Sequence, residues 1–282
     1  MRKLSVIFVF ALFAIGLAGR LSAQDAPVCK ECIVIYGDSR TGHDTHEKIV
    51  ADIMKFEPKI VIHTGDMVAK GYKEKDWQKF NGITQQLRDS AEFFPVMGNH
   101  ERESALYFKN FSLSKDKSWY SVDRMGIHFI ILDSNLPLDW WSKQHHWLQN
   151  ELKKFTPDKL PVIVLLHQPP VSIGHYAPQA KPLRAKIVPL FEKYGVVAVF
   201  SGDDHNYQRA FRNNIYYVIT GGGGAPLHSK VSADPDGQKY NQKFAAVHNF
   251  CTLSISGNQI TVKAYDIDLS LIDEFSFTTT KE

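Results

Sequence analysis

Short apolar runs rich in β-branched residues recur along the chain, and each ends in a glycine-bearing or polar loop. Residues 32–36 lead into Gly37-Asp38, residues 59–63 into Gly65-Asp66, and residues 93–97 into Gly98-Asn99-His100. Further on, residues 161–166 lead into His167 and residues 196–201 into Gly202-Asp203-Asp204-His205. Helical periodicity fills the intervals over 46–56, 76–87, 142–155 and 183–194, because apolar side chains must share one face at a 3.6-residue repeat. Strands alternating with helices predict a largely parallel sheet with helices on its faces. After Tyr207 the strands follow one another directly, over 215–220, 250–256, 259–266 and 271–277, with Gly257-Asn258 as a hairpin turn. No linker tract or repeat divides the chain, so residues 24–282 read as one α/β domain, two sheets face to face with helices outside.

The polar residues fall where chemistry is expected. In open parallel sheets, ligands gather beyond the carboxyl ends of the strands. Five predicted strands end there in Asp38, Asp66, Asn99-His100, His167 and Asp203-x-His205. A single histidine after a strand is usually structural; oxygen and imidazole donors on five strand ends together describe a rim for divalent metals of intermediate hardness. Gly221–Gly224 reads as a tight backbone path, since no helix pattern or lysine follows it at the spacing of a phosphate-binding loop.

In this order, Gly37-Asp38, Gly65-Asp66, Gly98-Asn99-His100-Glu101, His167 and Gly202-Asp203-Asp204-His205 resemble the five motifs of calcineurin-like metallophosphoesterases. His205-Asn206-Tyr207-Gln208-Arg209 is similar to the H-x-Y-E-R stretch of the purple acid phosphatase branch, and the tail over 260–277 to its closing hairpin. The resemblance implies an α/β/β/α sandwich with its metal site at the C-terminal rim of the strands. It implies two divalent ions (Mn, Fe or Zn): Asp38 and His205 on the first, Asp66 bridging, and Asn99, His167 and position 203 on the second. It further implies hydrolysis of a phosphate ester, a monoester ahead of a diester, by metal-bound hydroxide with His100 as the acid for the leaving oxygen. A histidine-bearing loop contacts substrate phosphate in that branch, which makes His175 a candidate donor.

Two positions depart from the family pattern. Where it has Asp-x-His, or a tyrosine supplied by the second motif, this chain has Asp38-Ser39-Arg40 and Asp66-Met67-Val68-Ala69. Arginine has no lone pair to give a metal, so the first ion loses a protein ligand. Where the family has Gly-His-x-His, Asp203 offers the second ion an anionic oxygen. Two readings stay open: Arg40 clamps the phosphate while both ions stay, or Arg40 pairs with Asp203 and a single ion binds, leaving a weakly active or non-catalytic descendant. His43 and His46 are possible replacement ligands, though His46 reads as a solvent-facing residue at a helix start. His63, inside an apolar strand, reads as structural.

Composition narrows little. The chain has 282 residues, 44% hydrophobic and 22% charged, with a net charge of only +3 and no run of like charge, which gives no footing for nucleic acid. A small phosphorylated substrate remains the expected partner. Arg2 and Lys3 before an apolar stretch over 4–17, then Leu21-Ser22-Ala23, read as a cleaved signal peptide over 1–23. The stretch is shorter than the roughly 20 residues of a membrane span, and the expected location is periplasmic or extracellular. In an oxidising compartment Cys29 and Cys32 read as a local disulfide, with a redox pair as the alternative, and Cys251 as a small buried apolar side chain.

Overall fold

The computed structural model describes residues 32–278 except 103, 116, 156–159 and 232–233. Along the chain run β1 (Cys32–Tyr36), α1 (His43–Met54), β2 (Ile60–His63), α2 (Glu74–Ser90), β3 (Glu92–Pro95) and α3 (Ala105–Asn110). There follow β4 (Tyr120–Arg124), β5 (Ile127–Ile131), α4 (Lys143–Lys154), β6 (Val162–Leu165), α5 (Ala177–Tyr194) and β7 (Ala198–Ser201). The rest is β-rich: β8 (Tyr207–Arg212), β9 (Ile215–Thr220), α6 (Pro235–Tyr240), β10 (Asn241–Ala245), β11 (Asn249–Ser256), β12 (Gln259–Asp266) and β13 (Leu271–Thr278). The expected signal peptide and the Cys29 half of the expected disulfide lie outside the described residues.

Two mixed sheets form, ordered β13-β12-β11-β1-β2-β3 and β10-β8-β9-β7-β6-β5-β4. In the first, β1, β2 and β3 are parallel and β11–β13 add antiparallel. In the second, β5, β6, β7 and β9 are parallel. Ile33, Ile35, Ile60 and Ile62 of one sheet meet Phe129, Ile131, Ile163, Leu165 and Phe200 of the other in the central core. The alternate residues Val34, Tyr36 and Val61 face α1 through Ile49 and Ile53, while Ile130, Val162 and Val164 face α4 and α5 through Leu148, Leu152, Ile187 and Phe191. Strands buried on both faces read as continuous apolar runs rather than alternating ones, which is why they stood out. The layers are helix, sheet, sheet, helix, as the resemblance implied.

Arg209 of β8 makes a bidentate ion pair with Asp273 of β13 at 2.6 and 3.2 Å, and Tyr207 donates to the same carboxylate at 2.9 Å. The stretch after His205 is thus a clasp between the two sheets.

Two expectations need correction. Helix α5 starts at Ala177, not after Pro182: Ala177, Ala180 and Arg184 are buried, and that packing holds the turn through a proline that sequence reading takes as a start. His46 does not face solvent. It is fully buried on the inner face of α1, its Nε2 3.2 Å from the Tyr36 hydroxyl and its ring stacked on Phe80.

Burial lowers the His46 pKa to about 3, so the ring stays neutral in the fold but takes a proton once unfolded. Its contribution is complete above the unfolded value of 6.5 and is lost as pH falls toward the folded one. Urea unfolding at pH 7 and pH 5 should show wild type losing about 2 kcal/mol more than His46→Gln between the two; equal losses would refute the assignment.

Candidate metal centre

The parallel strands of both sheets end on one rim, and the expected residues lie in the loops that leave it. Three aspartates, Asp38, Asp66 and Asp203, hold left-handed backbone with φ of 59°, 57° and 66°. That conformation costs an L-residue about 1–2 kcal/mol, with aspartate among the more tolerant, and it turns each carboxylate back across the strand end. Glycines in neighbouring rim loops are needed to make space for these carboxylates. A Cβ at Gly98 would lie 2.3 Å from Asp66 Oδ1, and one at Gly202 would lie 2.2 Å from Asp38 Oδ2. Gly221–Gly224 follows the expected tight path, with Gly223 N donating to Gly37 O at 2.7 Å.

The second-ion set converges on His167. This buried ring donates Nδ1–H to Thr64 O at 2.9 Å. Its Nε2 then lies 3.0 Å from Asn99 Oδ1 and 3.4 Å from both Asp66 Oδ1 and Asp203 Oδ1. A neutral ring with its proton on Nδ1 points a lone pair at three oxygens, so a second proton or a cation must stand among them. Burial opposes charge on His167, yet the carboxylates of Asp66 and Asp203 carry it well above its ordinary value. Two carboxylates, an amide oxygen and an imidazole fit a divalent ion of intermediate hardness.

The first-ion set is sparser. Donor atoms of Asp38, Asp66 and His205 lie within 4.8 Å of one another. His205 donates Nδ1–H to Pro226 O at 2.6 Å, leaving Nε2 3.6 Å from Asp38 Oδ1. Burial lowers His205 to about 4 and so keeps it neutral. Burial also pushes Asp38 well above the usual carboxylate range; His167 opposes this, and the charges of Asp66 and Asp203 add to it. Asp66 goes the other way. Burial would raise it, but His167, His100 and Arg40 together hold it below its ordinary value.

Arg40 does not pair with Asp203. Its Nε donates to Asp66 Oδ2 at 2.9 Å, on the carboxylate expected to bridge two ions. The corrected partner follows from the loop: Arg40 N bonds Asp66 O at 3.1 Å, which sets the two residues side by side. His43 is exposed and His46 is engaged by Tyr36, so neither joins the donor set.

His100 and His175 stand at the mouth. His100 donates Nδ1–H to Ala69 O at 2.7 Å and directs Nε2 toward Asp66 Oδ2 at 3.6 Å. His175 is exposed and reaches the rim through His228: the His175 and His228 rings are 5.1 Å apart, and His228 stacks on His205 at 4.0 Å. The His175 loop is tied to the metal segment by Asp204, which accepts from Ser172 Oγ and from Tyr176 N at 3.2 Å, and by Gln208, which accepts from Ile173 N at 2.9 Å.

Sequence reasoning left two residues without a role. His228 follows the glycine tract in a loop with no periodic pattern, and nothing in one sequence marks it. Glu101 was visible in its motif, but its task was not. Its buried carboxylate accepts from Asp66 N at 2.8 Å, Gly98 N at 3.0 Å and Val68 N at 3.1 Å, and burial pushes its pKa up to about 7. His63, buried as expected, accepts from Gly65 N and lies 3.0 Å from Ser39 Oγ, tying two rim loops together.

Residues 33–207 match the family described as calcineurin-like phosphoesterase. Purple acid phosphatase 21 of Arabidopsis thaliana is 29% identical over 206 residues, covering 67% of this chain and 44% of that relative. Purple acid phosphatase 1 of Ipomoea batatas is 35% identical over 152 residues, 52% of this chain and 32% of that relative. The chain therefore spans less than half the length of these curated relatives. Among solved structures, a purple acid phosphatase from yellow lupin (Lupinus luteus) seeds superposes with a TM-score of 0.74 at 19% identity, covering 88% of this chain and 53% of that one. GAP50, the anchor in the inner membrane complex of Plasmodium, gives 0.70 at 17% identity, covering 89% of both chains. At these identities the two structures share the fold.

Glu101→Gln puts an amide NH₂ against a backbone N–H that needs an acceptor. The expected result is a loss of about 1–3 kcal/mol in urea unfolding and about 10–100-fold weaker Mn²⁺ binding by calorimetry. Unchanged values of both would show that the carboxylate does not brace the rim.

Proposed function

Because this chain belongs to the calcineurin-like phosphoesterase family, we propose that it is a metal-dependent hydrolase of phosphate esters, acting on small monoesters ahead of diesters. The observation that carries this reading is His167 Nε2 facing oxygens of Asn99, Asp66 and Asp203 at 3.0–3.4 Å. The expected two-ion centre has donors for both positions, and the His167 position is the better furnished. A divalent ion bound there supplies charge to phosphoryl oxygens and lowers the pKa of water.

The protein's own groups do the rest. Asp66 is held ionised between the two donor sets, so it attracts cations on both sides. His100, oriented by Ala69 O, presents Nε2 at the open side of Asp66; as the imidazolium it can pass that proton to the leaving oxygen, and Asp66 Oδ2 stabilises the charge before transfer. His175 and His228 line the mouth as donors to a bound phosphate. The small net charge of +3 offers no extended basic groove for a polynucleotide, which supports a small substrate. The N-terminal pattern supports export, and no described helix is long and apolar enough to cross a membrane.

A second reading, a phosphate- or metal-binding descendant without turnover, is favoured by one observation: Arg40 lies on the carboxylate that would bridge the ions. Assays of an aryl phosphate with Mn²⁺, Fe²⁺ and Zn²⁺ supplied separately distinguish the two. The hydrolase reading expects His100→Ala to lower kcat by about 10²–10⁴-fold with metal content unchanged. No turnover in wild type with any of the metals would sink it in favour of the binder, and equal non-zero rates in wild type and variant would remove His100 as the acid.

A further inference from the structure

The two halves of the rim carry cations differently. On the His167 side, Asp203 adds a carboxylate where the family pattern has imidazole, and His167 Nε2 lies 3.0–3.4 Å from an oxygen of each of Asn99, Asp66 and Asp203. On the Asp38 side only Asp38, Asp66 and His205 converge, and Ala69 brings no side-chain donor. There Asp66 Oδ2 already accepts from Arg40 Nε at 2.9 Å, with the arginine side chain only 19% exposed. A guanidinium cannot shed its proton to make way for a metal. A divalent ion on that oxygen would stand against a fixed, weakly screened positive charge.

The same guanidinium is only partly used. Nε is its one bonded nitrogen, and Nη1 and Nη2 have no protein partner among the described residues. A planar fork with one edge pinned and two donors free matches a pair of phosphate oxygens in the bidentate manner of arginine–phosphate contacts.

We infer that Arg40 takes the place of the first metal, so that the centre works with one divalent ion, at Asp66, Asn99, His167 and Asp203, and one arginine that clamps the substrate phosphate. This rests on the hydrolase reading and adds a substrate class to it. A phosphomonoester has three unesterified oxygens, two for the fork and one for the metal. A diester has two, and leaves one of these partners unpaired.

The test is calorimetric Mn²⁺ titration of dialysed protein, with bound metal counted by mass spectrometry, for wild type, Arg40→His and Arg40→Lys. Inorganic phosphate is then titrated into each Mn²⁺-loaded protein. Wild type should bind one equivalent of Mn²⁺. Arg40→His exchanges the cation for a donor and should bind two. Arg40→Lys keeps the charge without the fork and should bind one, with phosphate affinity reduced about 10–100-fold. Two equivalents in wild type would overturn the replacement and leave the hydrolase reading standing. One equivalent in both wild type and Arg40→His would overturn the role of Arg40 in excluding the ion, and unchanged phosphate affinity in Arg40→Lys would overturn the clamp. No Mn²⁺ in wild type would bring down the hydrolase reading, and this inference with it.

Discussion

The rim depends on one buried carboxylate. Glu101 gathers the backbone N–H groups of Asp66, Val68 and Gly98, and so fastens the loop after β2 to the loop after β3. Loops leaving neighbouring strands have no ladder to hold them in register, and each buried N–H needs an acceptor. One side chain with two oxygens serves three of them. Asp66 and Asn99 then face His167 across the gap between the sheets because their backbones cannot drift apart. Asp203 donates its own N–H to both oxygens of Asp38 at 3.1 Å, a similar brace between the β1 loop and the β7 loop. The Arg209–Asp273 clasp closes the sandwich at the opposite strand edges.

The departures from the family pattern make sense together as an electrostatic rearrangement. Arginine at position 40 places a permanent cation on one side of the rim, on Asp66 Oδ2, and Asp203 places a carboxylate on the other, beside His167. Asp66, between them, is held below its usual range against its burial, since it faces His167 and His100 as well as Arg40. Asp38 is pushed the other way, chiefly by its burial.

The sandwich and the rim were legible because buried parallel strands leave uninterrupted apolar runs, and because four of the five runs end in a glycine before the polar residue. The hairpin β4–β5 was not. Tyr120–Arg124 is half exposed and carries Asp123 and Arg124, so it shows no run to read. Helix α5 was cut short at Pro182, where buried packing of Ala177 and Ala180 outweighs a local breaker. His46 was misplaced because a polar residue near a helix start reads as solvent-facing unless its neighbours across space, here Tyr36 and Phe80, are known. At the site, the donor set could be listed from motif order, but partners could not. The Arg40–Asp66 pair, the Glu101 brace and the stacking of His228 on His205 are all contacts between loops distant in sequence, where periodicity carries no information.

The three left-handed aspartates have a consequence for mutational drift. Glycine at 38, 66 or 203 would relieve backbone strain at once, and at 66 it would also remove a buried charge. A lineage that no longer needed the rim would find such changes favourable and would have little to oppose them. Positions 38 and 66 carry aspartate in that conformation, and position 203 carries it where the family pattern has imidazole, so the chain accepts left-handed backbone at three points of one rim.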